Sequence, residues 1–307
     1  MLTIFALRPF QREAIRNSGS YKAVSEDKDC QYLDQRARNP RMHKKTEGGK
    51  IMKIEILSSS DRLGEVAGME AGRQIQAAIA RQGEARLLLA TGQSQKATLA
   101  TLRAQPVDWP QVEVFHLDEY VGLDQAHPAS FRRYLHDEFT QYVPIRRMVW
   151  IAPNDGPIEA VLDQLTAEVS SAPMDVALIG IGENGHLAFN DPPADFETRT
   201  SYHVVQLDAR CRRQQVREGW FPDLESVPTT AISMTVPEIL NSRTIVVSVP
   251  DQVKAEAVRR TLEASRGDPW VPATALHQHP QVTLYLDRES SSELNQELRS
   301  RYGLAGR

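Results

Sequence analysis

From Lys53 onward the apolar positions alternate between two rhythms. Short compact runs have the length of buried strands: Lys53 to Leu57, Arg86 to Ala90, Val112 to Leu117, Val176 to Ile181, Thr244 to Val249 and Val282 to Leu286. Segments with helical spacing lie between them. Leu63, Val66, Ala67, Ile75 and Ile79 mark a helix with Ser60 as its cap, and a second helix runs through Leu99 and Leu102. Further helices are expected over Ser130 to Thr140, entered through His127-Pro128, over Asp155 to Ser170 and around Lys254 to Leu262. This alternation predicts an α/β fold with a mostly parallel sheet covered by helices on both faces.

Residues 1 to 51 break the rhythm. They are rich in Arg, Lys, Asp, Gln and Asn, hold few aliphatic residues after Leu7, and show no sustained period. The expectation is a poorly ordered extension, with the folded domain, and an alternative start codon, at Met52. A targeting peptide is the other reading, against which stands the acidic cluster Glu26, Asp27 and Asp29. Residues 52 to 307 show no internal repeat, so one domain is expected there.

Composition narrows the class. With 41% hydrophobic and 25% charged residues and a net charge of −4, the chain reads as an ordinary globular protein without the basic footprint of a nucleic-acid binder. Cys30 and Cys211 cannot build a disulfide framework or a cysteine-rich zinc site, which points to the cytoplasm. No apolar run approaches the roughly 20 residues that span a bilayer, so no membrane partner is expected.

Parallel strands end on one side, so the loops that follow them should converge on one crevice. Thr91-Gly92-Gln93-Ser94 opens a helix whose N–H groups would suit a phosphate, although Ser94 could equally be a plain helix cap. Asp118 and Glu119 are adjacent at a strand end and so point in different directions. One of them, held beside Leu117 and Tyr120, would have the raised pKa of a general base, and the alternative is a solvated acidic turn. The stretch Met174 to Pro193 brings His186 among glycines after a buried strand, with Asn184 and Asp191 placed to hold its ring; the alternative is a structural histidine. Lys254 falls in the first turn of a helix, where a cation opposes the dipole unless a bound phosphate compensates; the alternative is a solvated lysine. His277 and His279 would share one face of a strand but lack a third ligand at metal-site spacing, so no metal is expected. Cys211 lies in a basic helix where arginines could lower its pKa, but no histidine base accompanies it.

Taken together, these motifs resemble the glucosamine-6-phosphate deaminase (isomerase) family. The resemblance rests on Thr91-Gly92-x-Ser94, Leu117-Asp118-Glu119-Tyr120-Val121-Gly122-Leu123 with His127-Pro128-x-Ser130, Gly182-x-x-Gly185-His186-x-Ala188-Phe189-Asn190, and Lys254. It covers about Lys53 to Asp287. It implies a Rossmann-like three-layer α/β/α sandwich, no organic cofactor, and a phosphosugar substrate, glucosamine 6-phosphate, converted to fructose 6-phosphate and ammonia. On this resemblance His186 assists ring opening, with Asn184 and Asp191 around it, and Asp118 moves a proton between C2 and C1. Thr91, Gly92 and Ser94 hold the phosphate with Lys254, and Gln93, Glu119 and Gly185 complete the expected substrate-contacting set. The related 6-phosphogluconolactonases typically have Asp-Glu-Arg where this chain has Asp118-Glu119-Tyr120.

Departures from the family pattern are local. Asn184 stands where the family usually has Asp, Asp191 where it has Glu, and Gln215 where many members have a phosphate-binding arginine, with Arg212, Arg213 or Arg217 as substitutes. Ser201, Tyr202 and His203 stand where regulated members are basic, which argues against that form of allosteric control. Rival readings are a 6-phosphogluconolactonase, another sugar-phosphate isomerase, and a non-catalytic sugar-phosphate sensor. A homo-oligomer would bury further apolar helix faces.

Overall fold

The computed structural model describes residues 52–264 and 267–304; the expected extension over residues 1 to 51 lies outside the described residues. Seven parallel strands form the central sheet: β1 (Lys53–Ile56), β2 (Ala85–Leu89), β3 (Val112–His116), β5 (Arg147–Val149), β6 (Val176–Ile179), β9 (Thr244–Val249) and β10 (Val282–Leu286). Their spatial order is β1-β10-β9-β6-β2-β3-β5. Alternation along each strand sorts side chains to two faces. Leu87 and Leu89 join one apolar cluster with Leu63, Ala67 and Ile75 of helix α1 (Ser60–Gln82) and Leu99 and Leu102 of α2 (Lys96–Arg103). Leu88, between them, joins the opposite cluster with Val161 and Leu165 of α4 (Ile158–Ser170) and Val258 and Leu262 of α7 (Ala255–Glu263). The three layers and the parallel sheet match the sequence expectation.

The element ends differ in instructive ways. Ser59, not Ser60, caps α1, its hydroxyl accepting from Arg62 N at 3.2 Å. Ser130 caps α3 (Phe131–Leu135), and the expected single helix continues only as a π-helical turn over His136–Thr140. Helix α4 begins at Ile158, after Pro157, rather than at Asp155. β6 ends at Ile179, two residues before the expected end, and the turn itself follows at Glu183 and Asn184.

A second sheet was not expected. β4 (Asp118–Tyr120), β8 (Thr230–Met234) and β7 (Tyr202–Gln206) pair antiparallel in the order β4-β8-β7. Asp118, Glu119 and Tyr120, expected as a loop, therefore form a short strand with Asp118 opposite Ser233 and Glu119 opposite Ile232. Helix α5 (Ala209–Arg217) links β7 to β8, and α6 (Val236–Leu240) leads into β9; after β10, α8 (Gln296–Arg301) closes the described chain. Among the described residues no helix is long and apolar enough to cross a membrane.

Candidate active site

The carboxyl ends of β2, β6 and β9 open onto a single cleft, lined by Thr91, Gly92, Gln93, Ser94, Asp118, His186 and Lys254. The sequence-predicted loops therefore do converge. Gly92 turns the chain at φ 100°, in a region that other residues enter only under strain. The N–H groups of Gln93 and Ser94 follow it ahead of α2, while Gln95 N donates back to Gly92 O at 3.1 Å. The turn is tied to the sheet by Gln95, whose Nε2 lies 3.2 Å from Ser94 Oγ and 3.4 Å from Ser248 O. Tyr134 donates its hydroxyl hydrogen to Gly92 O at 2.8 Å.

Strand β4 separates the two carboxylates by its period of two. Asp118 faces the cleft and is 6% exposed. Burial, and next the charge of Glu119, push its pKa well above the usual carboxylate range. Glu119 turns the other way, so its expected role as a substrate contact is corrected. Its oxygens accept from Ser130 Oγ at 2.9 Å, Arg132 N at 2.9 Å, Phe131 N at 3.1 Å and Tyr120 N at 3.0 Å, so it binds the N-terminus of α3 to β4. The other side of β4 rests on His116. That imidazole accepts from Ile151 N through Nε2, so its Nδ1 carries the proton and donates to Asp118 O at 3.0 Å. Burial pushes His116 down to about 3, so it stays neutral while it holds the strand.

Around His186 the loop forms a closed set of hydrogen bonds. The ring Nδ1 meets Asp191 Oδ1 at 3.1 Å, Asn184 Nδ2 donates to the same oxygen at 2.8 Å, and Asn184 Oδ1 accepts from His186 N at 3.0 Å. Burial pushes Asp191 up, but the bonds from His186 and Asn184 outweigh it and hold the carboxylate below its usual range. Asn184 and Asp191 stand behind the ring rather than on the cleft, and Gly185 packs against Val271. Gly185 is thus corrected from a substrate contact to a turn residue. Asn184→Asp would replace a donor with a second carboxylate against Asp191. The expected result is a stability loss of about 1–3 kcal/mol that grows as pH rises above the ordinary carboxylate range, because the pair then has to hold two charges. Thermal melts from pH 4 to 8 check this; a gap that ignores pH contradicts it.

Cys211 lies with His186 and Asp191 so that the three ligand-type atoms fall within 4.8 Å of one another. The thiol is not activated by the neighbouring arginines: burial, and next the charges of Asp191 and Asp208, push it well above its usual pKa. His277 and His279 do not share a strand face. Each ring Nε2 meets a backbone carbonyl, Thr261 O at 2.7 Å and Ser242 O at 2.6 Å respectively.

The phosphate-type end departs most from expectation. Gln215 lines the cleft, whereas none of the three suggested arginines does: Arg212 bonds Leu224 O and Val227 O, Arg217 pairs with Glu183, and Arg213 is exposed. Lys254, expected to be solvated or phosphate-bound, is 7% exposed and lines the cleft. Burial lowers its pKa, with the charge of Glu218 opposing that fall. Gln214, Glu218 and Trp220 also line the cleft and were not anticipated. The signal for Gln214 and Glu218 was their recurrence with Gln215 at i, i+1 and i+4 after the Asp208 cap; Trp220, past the end of the helix, had none.

Residues 58–285 match the family described as glucosamine-6-phosphate isomerases/6-phosphogluconolactonase. Glucosamine-6-phosphate deaminase 1 of Bacillus subtilis is 34% identical over 248 residues, which span 78% of this chain and 99% of that protein. The glucosamine-6-phosphate deaminase of Exiguobacterium sp. is 36% identical over 69% of this chain and 82% of its own length. A solved monomeric glucosamine-6-phosphate deaminase superposes with a TM-score of 0.72 at 32% identity, covering 78% of this chain and 99% of that one. The 6-phosphogluconolactonase of Trypanosoma brucei shares the fold, with a TM-score of 0.64 at 15% identity over 80% of this chain and 99% of its own.

Proposed function

Because this chain belongs to the glucosamine-6-phosphate isomerase/6-phosphogluconolactonase family, we propose that it is a glucosamine-6-phosphate deaminase, forming fructose 6-phosphate and ammonia. One observation carries the reading: Asp118 is a buried carboxylate of raised pKa facing a cleft whose other wall carries the Gly92 turn and Lys254. In this reading Lys254 and the N–H groups after Gly92 take the phosphate, which positions the sugar carbons at Asp118. His186, steadied by Asp191, moves the proton that opens the ring. Asp118 then takes the C2 proton of the open chain and returns it to C1, and water displaces the amine. A carboxylate of raised pKa suits this step because it is a stronger base toward the C2 proton than an ordinary carboxylate. Lactone hydrolysis is the less favoured branch. Where lactonases typically place an arginine, Tyr120 is fully buried among Phe131, Phe189 and Phe221 and offers no cation to the cleft.

Incubation with glucosamine 6-phosphate, read for ammonia and for fructose 6-phosphate in equal amounts, tests the assignment. Isomerised sugar without ammonia would place the chain with another isomerase, and 6-phosphogluconolactone hydrolysis in its place would move it to the lactonase branch. A further expected result concerns Gly182, which lies directly against the His186 ring, so that an added Cβ would fall within it. Gly182→Ala is expected to push the imidazole off Asp191 and lower kcat/KM by about a hundredfold. Unchanged kinetics in a folded variant would remove His186 from the ring-opening role.

A further inference from the structure

The anion end of the cleft keeps a negative charge that a simple phosphate pocket would exclude. Gln214, Gln215 and Glu218 of the α5 segment line it with Trp220, Gly92, Ser94 and Lys254. Glu218 is fixed in place: its Oε1 accepts from Gln214 Nε2 at 2.7 Å and its Oε2 accepts from Trp220 Nε1 at 3.2 Å. A carboxylate has about four acceptor positions, so each oxygen can take one more hydrogen. Lys254 is the one Lys or Arg that lines the cleft among the described residues, and Gln215 adds no charge beside it.

The chemistry of such a site is selective. Lys254 and the N–H groups of the Gly92 turn can receive the charged oxygens of a monoester. Glu218 can only accept, so the non-bridging phosphoryl oxygen nearest it must carry a hydrogen. A phosphate monoester that retains its last proton has a P–OH to donate; a dianionic phosphate or a sulfate ester has none near neutrality and meets bare repulsion. We propose that Glu218 is a specificity-determining residue that selects the monoanionic phosphate monoester over the dianion and over sulfate esters. This rests on the sugar-phosphate reading of the cleft. The charged and titratable groups around the same space are Lys254 and Asp251 from the turn after β9, Tyr134 from α3 and Tyr120 and Asp118 from β4. Glu183 and His186 from the loop after β6, Arg217 on α5, Lys96 of α2, whose ammonium lies 5.9 Å from the Trp220 ring centre, and Glu138, which pairs with Lys96 at 3.5 Å, belong to the same surroundings.

The test is calorimetric binding of glucitol 6-phosphate and glucitol 6-sulfate, which do not depend on turnover, from pH 5 to 8. For the parent protein the Kd of the phosphate ester should rise about tenfold per pH unit above its second pKa of about 6, and the sulfate ester should bind at least about tenfold more weakly at pH 5.5. Glu218→Gln should flatten the pH slope and strengthen the sulfate ester, whereas Glu218→Asp, which keeps the acceptor, should retain both the slope and the discrimination. Tighter phosphate binding at high pH, or the same slope and the same sulfate affinity in Glu218→Gln, would overturn the proposal. If neither ester binds, the proposal fails as well. Ammonia release from glucosamine 6-phosphate, measured separately, then shows whether the functional reading fails with it.

Discussion

Asp118→Asn is expected to lower deamination by about 10² to 10⁴-fold while melting at a higher temperature than the parent at neutral pH. Both effects have one cause. Burial and the neighbouring Glu119 charge hold the Asp118 pKa well above its value in the unfolded chain, so the folded state favours the protonated form. Stability from this residue is therefore fully present below the ordinary carboxylate pKa and declines as pH rises toward the raised value. Asparagine keeps the shape and removes the charge, so the gain in melting temperature should be largest at pH 8 and shrink toward pH 5. The acid limb of kcat/KM for the parent should likewise lie above the ordinary carboxylate range, since activity falls as Asp118 takes up a proton. An Asn variant that is less stable at pH 8 would contradict the buried-charge account, even if it is inactive.

The second large effect is structural. Glu119→Ala removes the acceptor for three backbone N–H groups and the Ser130 hydroxyl at the junction of β4 and α3. Each orphaned buried donor costs about 1–3 kcal/mol, so the variant should lose several kcal/mol, a large share of the ~5–15 kcal/mol that holds a typical domain together. Glu119→Gln keeps one oxygen and removes the charge. It should lose less stability and shift the acid limb of activity to lower pH, because Asp118 then lacks its like-charged neighbour. Denaturant melts and pH profiles of the two variants separate these contributions. An acid limb that stays in place in Glu119→Gln would show that burial alone sets the Asp118 pKa.

Six of the seven strands of the central sheet were legible, the inner ones because they are buried along most of their length. The edge strand Arg147–Val149, three residues long with Arg147 exposed, was not read from the pattern. Thr244–Val249 and Val282–Leu286 are short, mostly apolar runs, and the observed ends of both agree with those read from the pattern. The second sheet was not legible. A three-residue strand such as Asp118–Tyr120 carries no period, and it exists only because β8 pairs with it. The opposite directions of Asp118 and Glu119 follow from strand geometry and could be anticipated, but which of them faces the cleft depends on that pairing. The α5 residues were harder still. Gln214, Gln215 and Glu218 have the composition of a solvated helix face, and only the approach of Lys254 and the Gly92 turn makes them a cleft wall. Arg212 and Arg217 looked like phosphate ligands because charge is visible in a sequence while the direction of a side chain is not; their guanidinium groups are taken up by Leu224, Val227 and Glu183.

The central claim is that Asp118 carries the proton from C2 to C1. Glucosamine 6-phosphate deuterated at C2, followed by NMR of the fructose 6-phosphate formed, tests it most directly. The account predicts a primary isotope effect on turnover and deuterium appearing at C1, diluted by exchange with water, with both signals lost in Asp118→Asn. Ammonia release that yields an aldose 6-phosphate still deuterated at C2, or transfer to C1 that continues undiminished in Asp118→Asn, would contradict it.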